Sequence, residues 1–86
     1  MTRHWINEAG KVDAWPRKEK YRVKVLSYLC EKFDADRIYT EKEVNILLQQ
    51  YHTFQDWALL RRELYERGFL DRDPRTQTYW VVRNGA

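Results

Sequence analysis

Residues 53–73, TFQDWALLRRELYERGFLDRD, decide how this chain folds. Trp57, Leu60 and Leu64 recur at helical spacing on one face, with Phe54 at its leading edge. Arg61, Arg62, Glu63 and Glu66 take the flanks and the outside. Thr53 followed by Asp56 has the outline of a capping box, with Asp in place of Glu or Gln, and predicts a helix start near Thr53. Gly68 suits the left-handed position just past a helix end, and Arg67 in the last turn suits the dipole. Phe69-Leu70 then opens an extended run. Helix, glycine stop and strand in direct succession form the unit around which the rest is placed.

Downstream, Phe69–Asp73 and Thr78–Val82 are β-prone runs on either side of Pro74-Arg75-Thr76-Gln77, which predicts a hairpin. Upstream, Val44, Leu47, Leu48 and Tyr51 follow the amphipathic helical period, and Thr40 with Glu43 forms a capping box at its start. This helix is expected to end at His52, almost touching the next one, a sharp helix-turn-helix connection. Arg37-Ile38-Tyr39 reads as a very short extended segment after the polar link Asp34-Ala35-Asp36. A first helix is predicted from Pro16, a residue suited to the first helical position, to about Phe33. Its core stripe is Val25, Leu26, Leu29 and Phe33 with the stem of Arg22.

Residues 1–14 show no period and are read as a flexible N-terminal arm, from which Trp5 and Ile6 can dock on the body. Residues 15–83 form the expected domain and 84–86 a frayed end. The predicted fold is α+β, a winged helix-turn-helix of three helices with a short strand before the second and a C-terminal β-hairpin wing.

Eighty-six residues allow one small domain with a modest core. Aromatic residues at 15%, four of them Trp, argue against disorder. The single cysteine forms no internal disulfide, so the core must hold without one. No stretch approaches the roughly 20 apolar residues a membrane helix needs, and the N-terminus has no signal-peptide core. A cytoplasmic bacterial domain is the expectation. Net charge is +3, but residues 1–33 carry eight Lys or Arg against four acids, whereas residues 34–86 carry eight against nine. That imbalance points to an anionic partner for the first helix.

Taken with Trp15-Pro16-Arg17-Lys18, Tyr39-Thr40-Glu41-Lys42-Glu43-Val44-Asn45, Leu60-Arg61-Arg62-Glu63-Leu64, Gly68-Phe69-Leu70-Asp71-Arg72 and Tyr79-Trp80, the chain resembles a bacterial family of unknown function. That family occurs alone or fused behind an ArsR-type DNA-binding domain in transcriptional regulators. The resemblance spans roughly Trp15 to Trp80 and includes a basic run after the proline; Trp15 stands where Phe is more familiar. It implies a fold and, by analogy only, an association with transcriptional regulation.

Metal binding and catalysis find little support. His4, His52 and Cys30 have no partners at ligand spacing, Ser27 has no matching His and acid, and no glycine loop cradles phosphate. Cys30 reads as a small apolar filler. No catalytic residue, metal or cofactor is expected, and the chain is not read as an enzyme.

The candidate residues are cationic. Arg17, Lys18, Lys20, Arg22 and Lys24 crowd the start of the first helix with one acid, Glu19, against the helix dipole. Contact with nucleic-acid phosphates explains them, as does a plainly solvated face. Arg62 and Gln55 fall on the exposed face of the helix that would enter a major groove, although Glu63 and Glu66 there repel phosphate. Internal pairing of Arg61 or Arg62 with Asp71 or Asp73 is the competing role. Arg75 at the hairpin tip is a wing contact or a solvated side chain. Trp80 is expected to close the core over the third helix. The expected partner is double-stranded DNA, bound through Arg17, Lys18, Lys20, Lys24, Gln55, Arg62 and Arg75. The alternative is a protein-interaction module of the same fold that binds another regulatory protein; no membrane partner is expected.

Overall fold

A computed structural model describes residues 5–82 of the chain. Six elements follow in order: α1 (Glu19–Cys30), β1 (Tyr39–Thr40), α2 (Glu41–Gln50), α3 (Trp57–Glu66), β2 (Leu70–Asp73) and β3 (Thr78–Val81). The fold is α+β, three helices with a three-stranded antiparallel sheet in the order β1-β3-β2. Tyr79 in the central strand faces Tyr39 on one side and Arg72 on the other, and Leu70 faces Val81.

Local chemistry sets most of the helix ends. Thr40 accepts the Glu43 N–H through its hydroxyl at 3.1 Å, and the Glu43 carboxylate accepts the Thr40 N–H at 2.9 Å, a complete capping box for α2. At the end of α3, Gly68 takes φ +82°. Its N–H reaches the Tyr65 carbonyl at 3.1 Å while the Phe69 N–H reaches that of Leu64 at 2.9 Å. These are the two bonds of a Schellman stop, which satisfies the last carbonyls before the chain turns into β2.

Several boundaries differ from the sequence expectation: α1 ends at Cys30 and not at about Phe33, β1 is Tyr39–Thr40 and not Arg37–Tyr39, and three further ends move. α3 begins at Trp57 rather than near Thr53, because Gln55 adopts φ +54° and the helix cannot pass through it. Asp56 supplies the cap instead, accepting the Leu59 N–H at 3.2 Å. α2 stops at Gln50, so the link between the two helices is six residues, 51–56, and not a bare turn at His52. α1 begins at Glu19 rather than at Pro16. The Pro16 carbonyl accepts Arg22 Nε at 2.6 Å, and Lys18 remains extended at the N-cap without a side-chain cap.

The core collects the apolar stripes read from the sequence: Val25, Leu26, Leu29 and Phe33 from α1 and its exit, Val44 and Leu48 from α2, Leu60 and Leu64 from α3. Tyr39, Leu70 and Tyr79 close it from the sheet. Leu70 and Arg72 alternate with Asp71 along β2, so they share the sheet face of Tyr79. Trp80 occupies the opposite face beside Asp71 and is only half-buried. The core is therefore closed by Tyr79, which is 2% exposed, and not by Trp80.

Residues 5–14 are not a free arm. Val12 is completely buried, its N–H bonds the Tyr51 carbonyl at 2.7 Å, and its carbonyl accepts the Thr53 N–H at 2.9 Å. Tyr21 and Tyr28, seven residues apart on one stripe of α1, hold the segment at two points. The Tyr21 ring lies 5.0 Å from that of Trp5, and the Tyr28 hydroxyl donates to the Gly10 carbonyl at 2.6 Å. One apolar residue between polar neighbours leaves no periodic signal, which is why the segment reads as unstructured from sequence. The expected fraying at 84–86 and residues 1–4 of the arm lie outside the described residues. Among the described residues, no helix is long and apolar enough to cross a membrane.

Candidate nucleic-acid interface

The outward face of α3 and the inward-facing end of β2 enclose a cleft of about 350 Å³ lined by Ala58, Arg61, Arg62, Tyr65, Glu66, Arg72 and Tyr79. Three guanidinium groups meet one carboxylate there, so the cleft is cationic. Each arginine arrives by a different device. Arg61 is tethered across the helix pair by donating to Asn45 Oδ1 of α2. Arg62 projects from the exposed side of α3. Arg72 follows Leu70 by two residues on the same face of β2, which brings it beside α3 while it stays exposed. Its guanidinium lies 4.7 Å from the Tyr65 ring centroid. Hydrogen bonds to Tyr79 and then Tyr65 push its pKa above the ordinary arginine value. The Tyr79 hydroxyl also stands 3.5 Å from the Glu41 carboxylate, which joins the cleft to the start of α2.

Neither Arg61 nor Arg62 pairs with Asp71 or Asp73. Arg67, at the end of α3, does pair internally: its Nε donates to Glu63 at 2.6 Å and its Nη2 donates to Glu19 of α1 at 2.8 Å. This contact also orients the cationic surfaces. Arg62 and Arg67 are five residues apart, and at about 100° per residue they lie about 140° apart around α3. Arg67 thus marks the side of α3 that meets the start of α1, and Arg62 the side that meets the sheet.

The residues singled out in the sequence accordingly fall into separate places. Arg62 is in the cleft. Arg75 stands on the hairpin turn, 89% exposed, with its guanidinium 3.6 Å from Asp73, whose carboxylate also accepts the Arg75 N–H at 2.9 Å. Gln55 lines a different concavity, of about 460 Å³, with Lys11, Gln49, His52, Thr53 and Trp57. Arg17, Lys18, Lys20 and Lys24 are exposed just before and along the first turns of α1 and do not line this cleft. Arg72 and Tyr65 were missed as site residues. The signal for Arg72 was present in the alternation from buried Leu70, which sends the second residue after it to the same face. Cys30 is half-buried, and burial followed by the Glu31 charge pushes its thiol pKa up, away from the thiolate form.

These features define a small three-helix, three-stranded domain with an arginine-lined cleft between its last helix and its hairpin. The chain belongs to DUF2087, a family of uncharacterized proteins conserved in bacteria, whose model matches residues 11–81. That match takes in Val12 and so begins inside the segment expected to be a free arm. No curated protein and no solved structure matches the chain.

Proposed function

We propose that the chain is a winged-helix module of a transcription regulator and binds double-stranded DNA through the cleft between α3 and the hairpin. The strand order β1-β3-β2 and the helix order support the winged-helix reading, with α2 and α3 as the helix-turn-helix pair and β2-β3 as the wing. The observation that carries the function is the convergence of Arg61, Arg62 and Arg72 beside the exposed face of α3. Arginine is the usual reader of guanine edges and a strong phosphate ligand, and three of them outweigh Glu66. In this arrangement Arg62 approaches the groove, Arg72 braces the adjacent phosphates and Arg75 extends the contact along the wing. The cations of α1 do not line this cleft.

The test is fluorescence anisotropy with a mixed-sequence duplex at two salt concentrations. Binding is expected to weaken steeply with salt, and the double variant Arg62→Ala/Arg72→Ala is expected to flatten the salt slope by about 0.9 for each phosphate contact removed. No binding at low salt by the folded protein rejects the reading and directs attention to a protein partner at the same face, where Tyr65 is exposed.

A further inference from the structure

We propose that the start of α1, centred on Tyr21, forms a second site, a stacking platform for single-stranded nucleic acid. It is independent of the duplex reading, since it uses a different surface and none of the cleft arginines.

The inference begins with an arrangement that local stability does not explain. Arg17, Lys18 and Lys20 gather at the positive end of the α1 dipole, where cations are unfavourable, and Lys24 follows one turn further along the helix. All four are exposed, and none forms an ion pair among the described residues. The one acid in the run, Glu19, is turned toward Arg67 and does not neutralise them.

Aromatic surface lies in their midst. The Trp5 ring backs that of Tyr21 at 5.0 Å and 41°, and Tyr21 is half-buried, which leaves part of its ring exposed. Lys20 Nζ lies 5.0 Å and Lys24 Nζ 5.8 Å from the Tyr21 centroid. These lysines reach the ring with flexible stems, so an incoming base can displace them onto its own flanking phosphates. The aromatic pair is held in place beforehand. The Trp5 carbonyl accepts the Asp13 N–H at 2.6 Å, and Ile6 forms a β-bridge with Val12, whose side chain is locked in the core.

Exposed ring surface flanked by unpaired cations meets the two needs of an unpaired strand, base stacking and phosphate neutralisation. A duplex does not satisfy the first, because its bases are already stacked. The ligand class is therefore single-stranded DNA or RNA with little sequence preference.

The experiment uses the full chain and labelled oligothymidine and oligouridine of about twelve nucleotides, within the usual site sizes of such proteins. Binding is expected for one or both, and the better-bound strand identifies the source. Tyr21→Ala is expected to weaken it about five-fold or more. Lys20→Ala/Lys24→Ala, whose exposed side chains can be removed without disturbing the core, is expected to reduce the salt slope by about 1.4, at about 0.7 per contact. Arg62→Ala/Arg72→Ala is expected to leave single-strand binding unchanged. The proposal is overturned if neither oligonucleotide binds at low salt. It is equally overturned if the folded lysine double variant binds as the wild type does, or if the cleft variant alone abolishes binding.

Discussion

His52 joins three parts of the molecule, and its removal tests how the start of α3 is held. The ring is 5% exposed. Its Nδ1 is 2.6 Å from the Leu48 carbonyl at the end of α2, and its Nε2 accepts the Asp56 N–H at 3.0 Å, at the cap of α3. These partners define the tautomer with hydrogen on Nδ1. The ring also meets Phe54 edge-on, with centroids 4.8 Å apart. His52→Ala removes two hydrogen bonds worth about 1 kcal/mol each and one aromatic contact worth about 0.5–1.5 kcal/mol. The Leu48 carbonyl keeps the Tyr51 N–H at 3.1 Å, and Asp56 is exposed enough for water to reach its N–H, so no large penalty for an orphaned group is added. A loss of about 3 kcal/mol is expected, read from urea unfolding with an unchanged slope. His52→Asn can restore the donor to Leu48 and His52→Gln the acceptor for Asp56, so each should recover about 1 kcal/mol relative to Ala. Wild-type stability in the Ala variant, or no recovery in either amide variant, would refute the linkage of α2 to α3 through this ring.

Three further outcomes follow from the same structure. Val12→Ala is expected to cost about 1.5–3 kcal/mol in chemical denaturation, because two fully buried methyl groups are removed; a neutral result would mean that the N-terminal segment is not part of the fold. Gly68→Ala meets no atom within 4 Å of the new Cβ, so its cost is backbone strain alone, about 1 kcal/mol or slightly more by thermal unfolding. At Glu43, the Thr40 backbone N–H first, and the Arg37 charge after the opposing effect of desolvation, pull the carboxyl pKa below its ordinary 4.5. A carboxyl depressed on folding stabilises above its unfolded value, and that contribution is lost as pH falls through the lower folded value. The melting-temperature advantage of wild type over Glu43→Gln should therefore be complete at neutral pH and shrink progressively below about pH 4.5; an advantage independent of pH would exclude the charged box.

Much of the candidate site was legible only as composition. The sequence marks Arg62, Arg75 and the basic run of α1 as cations in plausible places, yet it cannot say which of them share a surface. Arg72 belongs with Arg61 and Arg62 because β2 pairs with β3 in a register that turns Leu70 and Arg72 toward the helices. Trp80 and Tyr79 illustrate the same limit: adjacent in the chain, they take opposite faces, and a shift of one residue in register would exchange them.

What the sequence determined by itself is what contacts within a few residues can decide. The Thr40–Glu43 box, the Gly68 stop and the apolar stripe of Val25, Leu26 and Leu29 depend on neighbours one to five positions away, and all three form as read. Tertiary structure decided the rest. The α3 cap moved to Asp56, where Gln55 turns left-handed and His52 holds the Asp56 N–H. The N-terminal segment became part of the body because Val12, Tyr21 and Tyr28 offer it a buried seat and two anchors. The arginines of α3 and β2 were drawn into one cleft by strand register. Each of these depends on groups distant in sequence, whose burial and pairing energies exist only once the chain has closed on itself.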